Sequence, residues 1–162
     1  MIAARAKVST QTVYNHFPEF GQLLGACTGH VLARAPVLNA DTIRPGKSPK
    51  ERLQLLGAAV CEQQAFLAPW MRLGWHEARV IPELGRILDS AHDALRDLIA
   101  QCVLPERTAS PDFVSAALAL LEYPGWSQLA QGRTPRQTAA LMAACLTALL
   151  PELTQPTRQE PK

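Results

Sequence analysis

The chain has 162 residues, 48% of them apolar and only 6% aromatic, so it is one large domain or two small ones whose Leu- and Ala-rich core favours packed helices over sheets. Its net charge is +2, unevenly spread: residues 1–50 hold six bases and two acids, the remainder ten bases and twelve acids, as suits a protein that meets a polyanion at one end. No apolar window is long enough to span a membrane, and polar Ser9, Thr10 and Gln11 following Arg5 and Lys7 argue against a signal peptide, so a cytoplasmic protein is expected.

The apolar spacing predicts an all-α fold, with no strand-period run and no internal repeat. Met1 to Ala6 is a short helix with Ile2 and Ala6 on one face. Ser9 caps a second short helix to about Phe17, with Val13 and Phe17 pointing inward. A third follows Pro18, carries the stripe Phe20, Leu23, Leu24, Cys27 and Val31, and ends before Pro36. Residues 36–48, with two prolines and a glycine, read as a linker. Ser48 then caps a helix that has Pro49 in its first turn and Glu51 completing a capping box. Leu53, Leu56, Val60 and Leu67 line this helix until Pro69, and a short tryptophan-containing segment follows.

The best stripe starts at Pro82 and runs from Leu84 through Ile87, Leu88, Leu95 and Leu98 to Cys102. Ser110-Pro111 and Thr134-Pro135 open two more helices, expected at about 112–122 and 135–150. The last has no charge between Arg136 and Glu152 and is apolar on nearly every side, which requires burial on more than one face. From about residue 152 the chain is polar and Pro-rich and reads as a flexible tail. The cysteines Cys27, Cys61, Cys102 and Cys145 lie far apart without a CxxC spacing, so the expectation is four buried free thiols, no metal site and no cofactor.

The most informative stretch is residues 2–18. Two short helices meet at a tight turn centred on Lys7 and Val8; small Ala3 and Ala6 permit a close crossing, and Val8, Val13 and Phe17 form the wedge. Thr10, Gln11, Tyr14 and Asn15 are left outside. Apolar groups behind and short polar groups in front are what a helix needs to enter a major groove.

This run resembles the signature of TetR-family transcriptional regulators, roughly I-A-x-x-A-G-V-S-x-x-T-x-Y-x-H-F. Ile2, Ala3, Ala6, Val8, Ser9, Thr12, Tyr14, His16 and Phe17 match it, with Leu23-Leu24 at the usual distance. Arg72-Leu73, Glu77-Ala78 and Pro82-Glu83-Leu84 are similar to a stretch of one branch's regulatory domains. The resemblance implies a helix-turn-helix DNA-binding domain at 1–35 lacking the family's first helix, a linker at 36–48, a helical regulatory and dimerisation domain at 49–151, and a tail at 152–162. It implies that Ser9, Thr10, Gln11, Thr12, Tyr14, Asn15 and His16 meet duplex DNA, with Thr10 and Gln11 at base edges and Thr12, Tyr14 and His16 at phosphates and sugars. Two departures stand out. Lys7 replaces the turn glycine, at a cost of roughly 1–2 kcal/mol if the turn is left-handed, and Phe20 replaces a lysine that faces the DNA backbone.

The resemblance also implies a small-molecule effector pocket, for which Phe66, Trp70, Met71, Trp75, His76 and Trp126 are the candidates. A homodimer is expected from the last helix: Leu118, Leu121, Leu146, Leu149 and Leu150 would be covered by a second copy, which also matches a palindromic operator. There is no GxSxG, HExxH, Walker or GxGxxG motif, and His16, His30, His76 and His92 lack ligand spacing, so no enzyme is expected. The first expectation is a ligand-responsive DNA-binding regulator, by the resemblance a repressor. The alternative is a dimeric small-molecule-binding protein that has lost DNA binding through amino-terminal truncation.

Overall fold

A computed structural model describes residues 2–104 and 107–156. In chain order the helices are α1 (Ile2–Ala6), α2 (Thr10–His16), α3 (Phe20–Leu32), α4 (Ala40–Ile43), α5 (Pro49–Glu77), α6 (Pro82–Val103), α7 (Pro111–Leu121), α8 (Tyr123–Ala130) and α9 (Pro135–Leu153). A two-stranded antiparallel ribbon pairs β1 (Arg107–Ala109) with β2 (Thr154–Pro156). The fold is all-α, and no helix among the described residues is long and apolar enough to cross a membrane.

Punctuation in the sequence sets most helix starts. Ser9, Ser48 and Ser110 each accept a hydrogen bond from the backbone N–H three residues on, and Thr134 does so from Gln137. Each satisfies a donor that the first turn leaves orphaned. Pro49, Pro82 and Pro111 occupy first turns, where a missing N–H costs nothing.

The core lies between the first half of α5, the second half of α6, and α7, α8 and α9. Leu53, Leu56, Ile99, Phe113, Leu121 and Leu146 are completely buried there. Each such side chain is worth roughly 1.5–3 kcal/mol removed from water. Arg52, itself buried, ties the framework: Nε donates to the Cys102 carbonyl at 2.8 Å, Nη2 to that of Leu104 at 2.8 Å, and Nη1 to that of Gly46 at 3.4 Å. It thereby serves carbonyls at the end of α6, which the helix cannot satisfy itself. At the α7–α8 corner the chain passes so close that a Cβ on Gly125 would lie 1.9 Å from the Ala119 carbonyl oxygen.

Several expectations are corrected. α5 does not stop at Pro69 but runs through it to Glu77. Proline removes the donor for the Ala65 carbonyl, yet both residues lie on the exposed side, where water can serve that carbonyl. The segment 36–48 is not a bare linker: Asn39 and Thr42 form a capping box that opens α4, and Ile43 is buried in the core. The expected tail at 152–162 completes α9 and supplies β2 up to Pro156; residues 157–162 lie outside the described residues. Of the four thiols only Cys61 and Cys102 are buried, and Cys27 is exposed.

The dimer argument from the last helix is corrected too. Leu118, Leu121, Leu146 and Leu150 are buried within the one chain, and Leu149 packs half-buried against the same core. α5, α7 and α8 cover α9 from three sides, and α8 has no counterpart in the sequence reading. Beyond its exposed first turn, Pro135 to Gln137, α9 leaves outside the small ridge Ala140, Ala144 and Ala148.

Candidate functional site

α1 and α2 form a helix-turn-helix unit. α1 ends in a Schellman arrangement, with Val8 N–H donating to the Ala3 carbonyl at 3.1 Å and Lys7 N–H to that of Ala4 at 3.3 Å. This closure requires a left-handed residue, and Lys7 supplies it at φ 55°. Ser9 then caps α2 by accepting from Thr12 N–H at 2.9 Å, and the two hydroxyls meet at 2.8 Å. Ser9 and Thr12 are thus engaged in local structure. Thr10, Gln11, Tyr14, Asn15 and His16 are exposed on α2, Tyr14 at 62%. Gln11 Nε2 donates to Asn15 Oδ1 at 2.8 Å, which fixes two side chains one turn apart and leaves the Gln11 carbonyl and an Asn15 N–H facing outward. No residue of α1, α2 or α3 is buried. Val13 and Phe17 are half-buried, while Ile2 (53%), Val8 (41%) and Phe20 (63%) stand in solvent.

α3 follows this unit directly in the chain and walls a cleft of about 970 Å³. Its other walls are the second half of α5 and the first half of α6, and the α7–α8 corner lies at one end. α5 and α6 therefore divide their labour: one half of each builds the core, the other lines the cleft. Leu24 and Val31 of α3 face Trp70, Met71 and Trp75 of α5 and Ile87 and Leu88 of α6 across it. A mostly apolar concavity of this size is the usual form of a small-molecule site.

Three of the expected pocket residues, Trp70, Met71 and Trp75, line the cleft. Three do not. Phe66 stands behind Trp70, with ring centroids 5.6 Å apart, and His76 is exposed away from the lining. Trp126 is buried in the core against Tyr123, with an indole N–H that has no hydrogen-bond partner among the described residues.

The polar end of the cleft gathers around residues 121–123. Gln64 Nε2 donates to the Leu121 carbonyl at 3.3 Å, leaving Oε1 buried without a partner among the described residues. Glu122 does not cap its own helix; its carboxylate instead accepts from His92 Nδ1 at 2.5 Å. Arg96, a pure donor, reaches His92 Nε2 at 2.7 Å and holds Asp93 at 3.0 Å. Since Arg96 can only donate, Nε2 accepts in this arrangement and Nδ1 donates to the Glu122 carboxylate.

Of these polar residues only His92 is named from the sequence, and only as a histidine without ligand spacing. Gln63 and Gln64 had a legible signal, because they interrupt the apolar face Val60–Leu67 at helical spacing. His92 likewise interrupts the α6 stripe between Leu88 and Leu95. Glu122 had none, since only the tertiary fold brings it to His92. Among the described residues no group of three or more potential ligands could hold a metal ion. Compared with known proteins, the chain matches no family model, no curated protein and no solved structure.

Proposed function

We propose that the chain is a ligand-responsive DNA-binding regulator of the TetR type, with α2 as the major-groove reader and the α3–α5–α6 cleft as the effector site. The observation that carries the reading is the double role of α3. One helix directly follows the helix-turn-helix unit in the chain and walls an apolar cleft along its length, so a ligand that prefers one spacing of α3 from α6 shifts the placement of α2. A homodimer on a palindromic operator goes with this reading. Repression is the expected direction, because a ligand that moves α3 would release the operator.

The test is a titration of the full chain against duplex DNA at several salt concentrations. Binding through α2 gives an affinity that falls steeply with salt. Tyr14→Ala should weaken all sequences alike, about tenfold if one phosphate or sugar contact worth about 1.4 kcal/mol is lost. Gln11→Ala should relax sequence preference instead. Unchanged affinity of the Tyr14→Ala chain at moderate salt would argue decisively against the reader.

A second reading is favoured by the absence of any buried residue in α1–α3 and by the strained Lys7: a helical ligand-binding protein that makes no specific DNA contact. The same titration separates the two. Salt-sensitive but sequence-indifferent retention supports the second.

A further inference from the structure

We infer that the cleft takes an amphiphilic cation, an apolar body lying between Trp70, Trp75 and Ile87 with a protonated amine seated at the Gln64–Glu122 end. The inference rests on reading the cleft as a ligand site and adds the chemistry of its ligand. The polar end offers acceptors. Gln64 cannot turn its amide, because Oε1 would then oppose the Leu121 carbonyl that Nε2 now serves; the buried atom left over is an acceptor and needs a donor. Glu122 uses Oε1 for His92 and has no partner for Oε2 among the described residues.

The side-chain nitrogen donors of Gln63, His92 and Arg96 nearby are already committed. Gln63 Nε2 serves the Pro36 carbonyl at 3.0 Å, His92 Nδ1 serves Glu122, and Arg96 serves His92 and Asp93. Charge points the same way. Glu77, Glu83 and Glu122 line the cleft against one guanidinium, Arg86, which pairs with Glu83 at 3.5 Å. An anionic amphiphile would set its carboxylate among carboxylates and carbonyls, whereas an ammonium would supply the missing donors and meet tryptophan faces along the way.

The experiment uses the full chain and three probes of one length, decylamine, decanol and decanoate, each below its micelle concentration, with binding read by calorimetry and tryptophan fluorescence. Decylamine should bind at least about tenfold tighter than decanoate, as one charge-assisted contact requires. Glu122→Gln should lose about tenfold for decylamine and leave decanol unchanged, while Glu62→Gln, on the exposed side of α5 outside the cleft, leaves the preference for the amine within about twofold. Equal or tighter binding of decanoate overturns the inference, and so does the failure of all three probes to bind. If Glu122→Gln fails to fold, Gln64→Leu should lower decylamine affinity selectively, and the series on the unaltered chain decides by itself. Retention of duplex DNA is followed in parallel. An amine preference that leaves DNA retention unchanged supports the ligand class and tells against the regulator, whereas salt-sensitive DNA retention with no amine preference among the three probes overturns the ligand class alone.

Discussion

Lys7 is the only described non-glycine residue with a positive φ. It closes α1 where glycine would carry no penalty, and that penalty falls on a unit with no buried residue. Lys7→Gly should therefore stabilise residues 2–17 by about 1 kcal/mol, seen as slower amide exchange at Val8, Thr12 and Val13; unchanged or faster exchange would show that the turn is not strained. The sequence pattern marked this position, because a side chain stands there where the resembling signature has glycine. It did not mark Arg52, whose partners are carbonyls with no signature of their own. A lysine there could not span Cys102, Gly46 and Leu104 with one ammonium. Arg52→Lys should cost about 2 kcal/mol in urea unfolding, and an unaltered midpoint would dismiss its tying role. Burial pushes the neighbouring Cys102 thiol up to about 12, with Arg52 pulling the other way by charge. The folded thiol keeps its proton while the unfolded one ionises from its ordinary value of 9.0, so Cys102 adds no slope near neutral pH and its contribution to stability is lost as pH rises through 9 towards 12.

The helices of the body were legible where burial and periodicity coincide: the stripes of α5 and α6, and the caps at Ser9, Ser48 and Ser110, all form. What the stripes could not say is which neighbour each half meets. Leu95 to Cys102 enter the core, while Leu84 to Leu88, though equally periodic, face the cleft. Pro69 reads as a stop in any local pattern, yet tertiary packing carries α5 past it. For the candidate site, the tryptophan segment was visible and the polar end was not, because Glu122 and His92 are thirty residues apart. α3 is the element where reader and cleft meet, and Cys27 gives a probe on it, exposed and at the cleft lining. A thiol reagent at pH 8 should modify Cys27 rapidly and Cys61 and Cys102 only on unfolding. A bound cleft ligand such as decylamine should slow the Cys27 reaction severalfold. Equal labelling with and without ligand would place the ligand elsewhere.

At the scale of the molecule, the question is which surface a second copy would use once the leucines of α7 and α9 are spent on the chain's own core. The exposed ridge Ala140, Ala144 and Ala148 runs at four-residue spacing along α9, and Lys50, Gln54 and Ala58 run at the same spacing along α5. Between them lies a shallow groove of about 680 Å³. Two such faces related by a two-fold axis would set the ridge of one chain into the groove of the other. Small side chains lose little rotamer entropy on such contact, and each face carries one lysine in the groove, Lys50. The pairing would also give two α2 helices a fixed separation, which a palindromic operator requires at about 34 Å or a multiple of it. The substitution that tests this is Ala144→Arg, on the exposed ridge. Leu146→Glu would charge the core and unfold the chain without informing on assembly. Sedimentation at micromolar concentration should find a dimer for the unaltered chain and a folded monomer for Ala144→Arg, whose affinity for a two-half-site duplex falls at least about a hundredfold as the second α2 is lost. A dimer that survives Ala144→Arg would move the interface off this ridge. An unaltered chain that stays monomeric from micromolar concentration upward would remove the two-fold reading of the operator with it.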